Sequence, residues 1–271
     1  MTNRYAVVGN PVAHSKSPVI HAAFARQTGQ DIEYGTILAP RGEFAGAAER
    51  FRSDGGRGLN ITVPFKLDAY AFASELTERA REAGAVNTLA FNGSTVLGDN
   101  TDGAGLVADI VDRLGVPVAG KRVLLMGAGG AARGVVGPLL RERPARIVIA
   151  NRTIGKAQAL AQHFAAQGDV RGGGYGDVAG EVFDIVVNAT SASLHGEVPP
   201  LPAGAYAPGA LAYDMVYGDR PTRFLEHATA AGAQTMVDGL GMLVAQAAES
   251  FFLWRGVRPE TAAVIASLRA P

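Results

Sequence analysis

Four short segments of the sequence place small polar side chains beside glycine or proline. They are Asn10–Pro18, Asn60–Lys66, Gly84–Thr88 and Gly98–Gly103. In the second segment, the i, i+2 spacing puts Asn60 and Thr62 on one face of a strand. Lys66 follows the end of that strand, where ligands bind in open α/β sheets. Hydroxyls, amides and one lysine are groups that suit a small polyhydroxylated anion, so the pattern indicates a polar substrate pocket.

Each polar segment, taken alone, also has a purely structural interpretation. Ser15 and Ser17 are suited to cap a helix that begins at Pro18. Asp102 is equally suited to cap the helix that begins there, and a single lysine such as Lys66 is more often a surface cation. Composition and spacing leave these alternatives open.

A glycine-rich turn follows an apolar strand and opens a helix. It reads Gly127-Ala-Gly-Gly-Ala-Ala132 and fits the pattern G-x-G-x-x-G/A, with Ala132 in the third place. Glycine permits the tight turn and lets bare backbone approach a pyrophosphate, whose charge the helix-terminal N–H groups receive. Such turns also occur for packing alone, but the strand–turn–helix–strand unit from Lys121 to Asn151 has close to the ~30 residues of a dinucleotide-binding unit. We therefore predict dinucleotide binding.

The end of the second strand of that unit indicates which dinucleotide binds. An NAD site typically has Asp or Glu there, which accepts hydrogen bonds from the ribose hydroxyls. This chain instead has Asn151, Arg152 and Thr153, followed by Lys156. A guanidinium binds a 2′-phosphate through two parallel hydrogen bonds. The alternative, that Arg152 and Lys156 are ordinary solvated cations, is weakened because the helix dipole disfavours cations at a helix start. NADP is the predicted cofactor.

The residue types that are missing limit the chemistry. The chain has no cysteine, which excludes disulfides, thiolate metal sites and cysteine nucleophiles. Its five histidines show no ligand spacing, so no metal site is predicted. A hydroxyl–carbonyl interconversion would therefore need a proton relay other than histidine, and lysine is the available cation.

Length, charge and patterning bound the class of protein. The 271 residues suit two modest domains or one large one, and 48% are apolar, which excludes disorder. The 25 basic residues balance 25 acidic ones, so the chain has no net positive charge that would attract nucleic acid. No stretch has a signal-peptide core or the ~18 apolar residues of a membrane span, and the cytoplasm is the expected compartment.

Short β-rich runs alternate with helical patterns, which favours an α/β fold. The strands at Arg122–Met126, Arg146–Ala150 and Phe183–Asn188 belong to the second half of the chain. In the first half, Glu75–Ala83 reads as one helix, and Asn92-Gly93 is a strong signal for a hairpin turn.

At these segments the sequence closely resembles the shikimate/quinate dehydrogenase family. The motifs that carry the resemblance are GNPVAHSKSP, NITVPFK, GAVNT, GDNTDG, GAGGA, NRT with Lys156, NATS, DMVYG and DGLGMLVAQAA, and they span nearly the whole chain. The resemblance implies an NADP-dependent shikimate dehydrogenase that reversibly reduces 3-dehydroshikimate to shikimate in aromatic amino acid (chorismate) biosynthesis.

The resemblance also implies a role for each matching residue. Lys66 and Asp102 resemble the catalytic pair. The substrate ligands would be Ser15 and Ser17 on the carboxylate, with Tyr217 nearby, and Asn60, Thr62, Asn87, Asp102 and Gln246 on the ring hydroxyls. The cofactor's pyrophosphate would lie on Gly127, Ala128, Gly129, Gly130 and Ala131. The adenosine phosphate would be read by Asn151, Arg152, Thr153 and Lys156. The nicotinamide end would be lined by Thr190, Met215, Val216 and Gly239. One departure is Ser193, where relatives often carry glycine.

The implied fold is α/β with two domains. Residues 1–101 and 238–271 would form a mixed α/β substrate-binding and catalytic domain, completed by the C-terminal helices. Residues 102–237 would form a Rossmann-like NADP-binding domain. The expected partner is the small-molecule substrate, with neither nucleic acid nor membrane involved, and a homodimer is a further expectation.

Two competing functions stay open. A paralogue of the same family that acts on quinate would share nearly all of these motifs, although Asn151-Arg152-Thr153 disfavours a version that prefers NAD. A non-catalytic NADP-binding regulator would need the glycine turn and Arg152. It would have no need of the Lys66–Asp102 pair, which this chain retains.

Overall fold

The computed structural model describes residues 2–270, which divide into two compact units. The first unit contains the chain up to Leu106 and again from Leu243, and the second contains Val107–Met242. The sequence-based boundaries lie a few residues before these positions. The assignment of one unit to substrate and the other to cofactor remains a prediction.

Secondary structure over residues 2–270 comprises twelve strands and ten α-helices. The strands are β1 (Asn3–Gly9), β2 (Ile32–Leu38), β3 (Gly56–Ile61), β4 (Glu75–Leu76), β5 (Thr88–Asn92), β6 (Thr95–Asp99), β7 (Arg122–Met126), β8 (Arg146–Ala150), β9 (Val170–Gly173), β10 (Phe183–Asn188), β11 (Tyr206–Asp214) and β12 (Thr235–Asp238). The helices are α1 (Ser17–Thr28), α2 (Phe44–Ser53), α3 (Lys66–Phe72), α4 (Glu78–Ala83), α5 (Asp102–Val107), α6 (Gly130–Arg141), α7 (Ile154–Phe164), α8 (Arg223–Ala230), α9 (Leu240–Arg255) and α10 (Ala262–Arg269).

The first unit is built on a mixed six-stranded sheet with the order β2-β1-β3-β5-β6-β4. β1 runs parallel to β2 and β3, whereas β5 runs antiparallel to β3 and β6. The carboxyl ends of β1, β3 and β6 therefore lie at one edge, together with the amino end of β5. The register pairs Asn60 with Thr88 and Thr88 with Asp99 across three adjacent strands. All four polar segments lie at these strand ends.

The C-terminal helices complete the first unit. Ile20 and Phe24 of α1 share one apolar cluster with Val244 and Phe251 of α9 and with Val264 of α10. All five side chains are at most 5% exposed, and burial of this kind stabilises each helix against the others. The return of the chain end to the first unit follows the pattern that the resemblance implied.

The second unit is a fully parallel six-stranded sheet with the order β12-β11-β10-β7-β8-β9. β7, β8 and β10 begin and end where the sequence predicts. Their near-continuous apolar runs are typical of strands that are covered on both faces. The predicted α/β fold with a Rossmann-like second domain is confirmed.

One local prediction was wrong, the hairpin loop lies one residue later than predicted, and one strand was missed. Glu75–Ala83 is not one helix, because Glu75 and Leu76 form β4 on β6, and α4 begins only after Thr77, whose hydroxyl caps it. Tertiary pairing overrides helix propensity there. The hairpin exists, but Asn92 pairs with Thr95, so its loop is Gly93-Ser94. The short strand β9 lies at a sheet edge and was not predicted.

Within the described residues, no helix is both long and apolar enough to cross a bilayer.

Candidate active site

Lys66 and Asp102 form an ion pair at the polar edge of the first sheet. Lys66 is the first residue of α3, just after β3, and Asp102 is the first residue of α5, just after β6. The Lys66 ammonium donates to Asp102 Oδ2, and the two side chains are 16% and 6% exposed. Lys66 is therefore not a free surface cation. Asp102 is the first residue inside its helix rather than the residue before it, and its other oxygen accepts a hydrogen bond from Asn87 Nδ2 at 2.8 Å. A cation held in this way can donate a proton to a substrate oxygen.

Asn87 connects the ion pair to helix α9. Its Nδ2 lies 2.8 Å from Thr101 Oγ1 and 3.2 Å from Gln246 Oε1, besides its bond to Asp102. Its Oδ1 accepts a hydrogen bond from the Thr101 backbone N–H at 2.8 Å. Asn87 is 2% exposed. A buried amide that is hydrogen-bonded at both its nitrogen and its oxygen has one orientation, so it fixes the Asp102 carboxylate in space.

Most of the hydrogen-bonding groups of Asn60 are occupied by neighbours within the first unit. Its Oδ1 accepts a hydrogen bond from the Tyr34 hydroxyl at 2.7 Å. Its Nδ2 donates to Ser250 Oγ at 2.9 Å and to Thr88 Oγ1 at 3.1 Å. Both amide hydrogens are thus used inside the protein, and one lone pair of Oδ1 remains for a ligand hydroxyl.

The two serines of the first polar segment lie at the start of α1. The N-cap residue is Lys16, whose side chain makes no capping hydrogen bond. Capping by Ser17 is therefore wrong. Ser15 Oγ instead accepts a hydrogen bond from the Ser17 backbone N–H at 3.3 Å. Ser17 is buried, whereas Ser15 and Thr62 are half-buried.

Five residues of this network were missed by sequence reasoning. They are Tyr34, Arg79, Thr88, Thr101 and Ser250. Thr88 and Thr101 stood inside the quoted motifs GAVNT and GDNTDG, and Ser250 lies one helical turn after Gln246. Arg79 had no sequence signal, because its partner Asp99 is twenty residues away.

Arg79 anchors the loop that carries Asp102. Its Nε donates to Asp99 Oδ1 at 2.6 Å, and its NH2 group donates to Oδ2 at 2.5 Å. The Thr77 hydroxyl donates to the same carboxylate at 2.6 Å. Asp99 in turn accepts the Asn100 backbone N–H at 2.8 Å. A two-point guanidinium–carboxylate contact restricts orientation as well as distance.

The glycine turn in the second unit joins β7 to α6. Gly127 has φ of +106°, and a Cβ there would lie 3.1 Å from the backbone oxygen of Ala189. The N-cap of α6 is Gly129, and no side chain caps this helix. The first N–H groups of a helix lack partners within the helix. A bare, uncapped helix start of this kind suits a pyrophosphate.

The predicted phosphate-reading residues follow β8. Asn151 Nδ2 donates to the Thr153 backbone oxygen at 2.9 Å, which shapes the turn before α7. Arg152 and Lys156 are exposed. Neither forms an ion pair with any residue in the described range 2–270. Two exposed, unneutralised cations at this position fit a 2′-phosphate, since such a group supplies the missing negative charge.

Two loops of the second unit carry the residues predicted at the nicotinamide end. Thr190 lies after β10, and its N–H and hydroxyl both donate to Asn188 Oδ1, at 3.1 and 2.7 Å. Met215 and Val216 follow β11, and Gly239 N donates to the Val216 oxygen at 3.1 Å. A Cβ on Gly239 would lie 2.3 Å from the Met215 oxygen, so only glycine fits there. Tyr217 also belongs to this unit.

Ser193, the departure from the family pattern, lies in a short 3₁₀ helix, Ala192–His195. Its hydroxyl donates to Asp214 Oδ2 at 2.6 Å and accepts from Asn188 Nδ2 at 3.2 Å. Over the part of the chain that the structure describes, no group of three or more His, Cys, Asp or Glu side chains could hold a metal ion.

Three family models match successive parts of the chain. Residues 7–89 match the shikimate dehydrogenase substrate binding domain, and residues 109–195 match shikimate / quinate 5-dehydrogenase. Residues 239–269 match the shikimate 5′-dehydrogenase C-terminal domain.

Relatives and solved structures agree with these models over the full chain. The chain is 60% identical to shikimate dehydrogenase (NADP(+)) of Nitrosospira multiformis, over 100% of this chain and 98% of the relative. It is similar to the structure of an Ael1 enzyme from Pseudomonas putida, with 47% identity, a TM-score of 0.89, and coverage of 100% of this chain and 99% of that one. It is also similar to shikimate 5-dehydrogenase from Thermus thermophilus in complex with NADP(H) and shikimate, with 32% identity, a TM-score of 0.86 and 99% coverage of both chains. The resemblance inferred from the motifs is confirmed, and the chain belongs to the shikimate dehydrogenase family.

Proposed function

We propose that this protein is an NADP-dependent shikimate dehydrogenase, an oxidoreductase that reversibly reduces 3-dehydroshikimate to shikimate in aromatic amino acid biosynthesis. The observation that carries the proposal is the Lys66–Asp102 ion pair, held at a polar sheet edge in a chain of this family. A non-catalytic regulator would have no use for a lysine that is oriented and largely removed from solvent.

In the proposed reaction, Lys66 stabilises the negative charge that develops on the substrate's ketone oxygen and donates a proton to it. When bound, NADPH supplies the hydride for the ketone carbon. Asp102 accepts hydrogen bonds from the ammonium and from a substrate hydroxyl, and so fixes their relative geometry. Asn87 holds Asp102 in the required orientation.

The remaining polar residues of the first unit would bind the substrate. Ser15 and Ser17 would donate to its carboxylate. Thr62, Asn87 and Gln246 would contact the ring hydroxyls. Asn60 would accept one hydroxyl hydrogen at Oδ1, because its own N–H groups are already used.

In the second unit, residues 127–131 would hold the pyrophosphate, and Asn151, Arg152, Thr153 and Lys156 would hold the 2′-phosphate. Thr190, Met215, Val216 and Gly239 would contact the nicotinamide end. The uncapped start of α6 and the unpaired charge of Arg152 support this assignment.

A two-by-two absorbance assay tests the function. NADP⁺ and NAD⁺ are each offered with shikimate and with quinate, and reduced cofactor is followed over time. We expect rapid reduction of NADP⁺ with shikimate and much slower reaction in the other three combinations. Faster turnover with quinate would identify the quinate-acting paralogue. No turnover in any combination would contradict the proposal and favour an NADP-binding regulator.

We further propose that the enzyme works in the cytoplasm, as a homodimer, without nucleic acid. Its basic and acidic residues balance, which gives no overall attraction to a polyanion. Sedimentation equilibrium measures the oligomeric state directly. A single species with the mass of one chain, about 28.0 kDa, at micromolar concentration would contradict the dimer.

A further inference from the structure

Asp214 is a buried carboxylate at the end of β11 that the proposed reaction does not use. It is 0% exposed. Among the residues that the structure describes, no lysine, arginine or histidine forms an ion pair with it. Burial raises the pKa of Asp214, and hydrogen bonds from Ser193, Thr222, Val216 and Asn188 oppose that shift. A buried anion is costly unless it is well hydrogen-bonded, so these donors have to satisfy it.

Four donors occupy the four lone-pair positions of this carboxylate. Oδ1 accepts from Asn188 Nδ2 at 3.1 Å and from the Val216 backbone N–H at 3.0 Å. Oδ2 accepts from the hydroxyls of Ser193 and Thr222, each at 2.6 Å. Short hydroxyl–carboxylate bonds are among the stronger hydrogen bonds in proteins. Removal of any one donor leaves a buried charge partly unsatisfied.

The donors come from the two loops that follow adjacent parallel strands. Asn188 ends β10 and pairs in register with Asp214. Ser193 lies in the loop after β10, whereas Val216 and Thr222 lie in the loop after β11. Asp214 therefore ties both loops to the end of the sheet.

The residues predicted at the nicotinamide end are attached to the same cluster. Thr190 donates twice to Asn188 Oδ1, and the Met215 backbone N–H donates to the Asn188 backbone oxygen at 3.0 Å. Val216 bonds to Asp214 itself. Each of these residues lies one hydrogen bond from the carboxylate or from its partner Asn188.

We propose that Asp214, with the hydroxyls of Ser193 and Thr222, is a positioning cluster that holds Thr190, Met215 and Val216 in place for the nicotinamide half of the cofactor. The assignment depends on the proposed function. Among the described residues, no hydrogen bond of this cluster reaches the residues predicted to bind the adenosine phosphate. Its effect is therefore confined to one half of the cofactor, which makes it separable from a general effect on folding.

Ser193 is the best position to test, because Ser193→Ala deletes one donor and leaves the backbone intact. Two ligands are titrated separately by calorimetry: NADPH, and adenosine 2′,5′-bisphosphate, which lacks the nicotinamide half. We expect the dissociation constant for NADPH to rise about tenfold, which corresponds to one charge-assisted hydrogen bond. The dissociation constant for adenosine 2′,5′-bisphosphate should change less than about twofold.

Two further variants complete the experiment. Ser191→Ala removes an exposed hydroxyl from the same loop, one that caps no helix, and should match the wild type with both ligands. Ser193→Thr keeps a hydroxyl and should recover most of the lost NADPH affinity.

Three outcomes would overturn the assignment. One is unchanged NADPH affinity in Ser193→Ala, and another is an equal loss with both ligands, which would indicate general destabilisation of the unit. The third is wild-type protein that binds neither ligand, and this result alone would also overturn the proposed function.

Discussion

The two candidate sites of this protein are built by different means. At the substrate end, side chains are held by other side chains, as in the Asn87–Asp102–Lys66 chain of contacts. At the pyrophosphate end, the turn from Gly127 to Ala131 offers backbone, with no side chain capping the helix behind it. A side-chain site is thus sensitive to the loss of a buried donor. A backbone site is sensitive to the addition of a Cβ atom. Substitutions of these two kinds should separate the sites.

The largest expected effect is at Lys66. We expect Lys66→Ala to lower kcat by about 10²-fold or more with a much smaller change in KM, because the group acts mainly on the transition state. Steady-state kinetics with shikimate and NADP⁺ measure both constants. Asp68→Ala, at an exposed position on the same helix, is the control and should be near normal. Near-normal kcat in Lys66→Ala would show that Lys66 takes no part in the chemical step.

The backbone site should respond most to Gly127→Val. A valine at φ of +106° is strained, and its Cβ would press on the Ala189 carbonyl. Strain of this kind costs about 1–3 kcal/mol, so the dissociation constant for NADPH should rise by about 30-fold. Gly155→Ala, where an added Cβ would meet open space among the described residues, is the control. Equal affinities in the two variants would argue against a tight turn as the cofactor cradle.

Arg152→Ala tests the charged part of the cofactor site. We expect the KM for NADPH to rise about tenfold, since a guanidinium–phosphate contact is lost. Any weak activity with NADH should be unchanged, because NADH lacks the 2′-phosphate. Arg171→Ala removes an exposed arginine from the same unit and serves as the control. An equal loss with both cofactors would show that Arg152 does not read the phosphate.

Ser250→Ala tests the buried hydrogen-bond network around Asn60. The hydroxyl of Ser250 accepts from Asn60 and lies 2.8 Å from Thr88 Oγ1. Its removal should raise the KM for shikimate about fivefold, the equivalent of one buried hydrogen bond, and leave the KM for NADP⁺ unchanged. Ser267→Ala is the matched control, because within the described residues its hydroxyl bonds only the Val264 backbone oxygen. A change confined to NADP⁺ would contradict the network's role.

His21 gives the smallest predicted effect, and it depends on pH. It lies under the same network, stacked on Tyr34 with ring centroids 4.2 Å apart, and burial lowers its pKa from 6.5 to about 3. Below pH 6.5, His21 therefore binds a proton in the unfolded chain but not in the folded chain. The contribution of His21 to the free energy of unfolding has its full value above that pH and falls as the pH drops toward 3. Between pH 6.5 and 5.5 the free energy of unfolding should fall by about 1 kcal/mol from this group.

Urea denaturation at the two pH values measures that slope. His21→Phe keeps a ring in the stack and should show a pH slope reduced by about that amount. An unchanged slope in His21→Phe would show that His21 is not the group that titrates.

Local signals in the sequence account for much of the fold and of the cofactor site. β7, β8 and β10 were predictable because buried parallel strands are continuous apolar runs. The turn at Gly127 was predictable because its glycines lie between a strand and a helix. Glu75–Leu76 was wrong because a two-residue strand depends on its partner in β6, which no local pattern contains.

The sequence by itself determined which chemical groups are available: a lysine and an aspartate for the proposed proton transfer, glycines for the proposed phosphate turn, and an arginine where an NAD site typically has a carboxylate. Tertiary structure alone decided which side chains support them. Tyr34, Arg79, Ser250 and the Asp214 cluster act through partners that are distant in sequence, as Asn60 and Ser250 are, 190 residues apart. Hydrogen bonds act over about 3 Å, so their partners are settled only when the sheet register and helix packing bring the chain together.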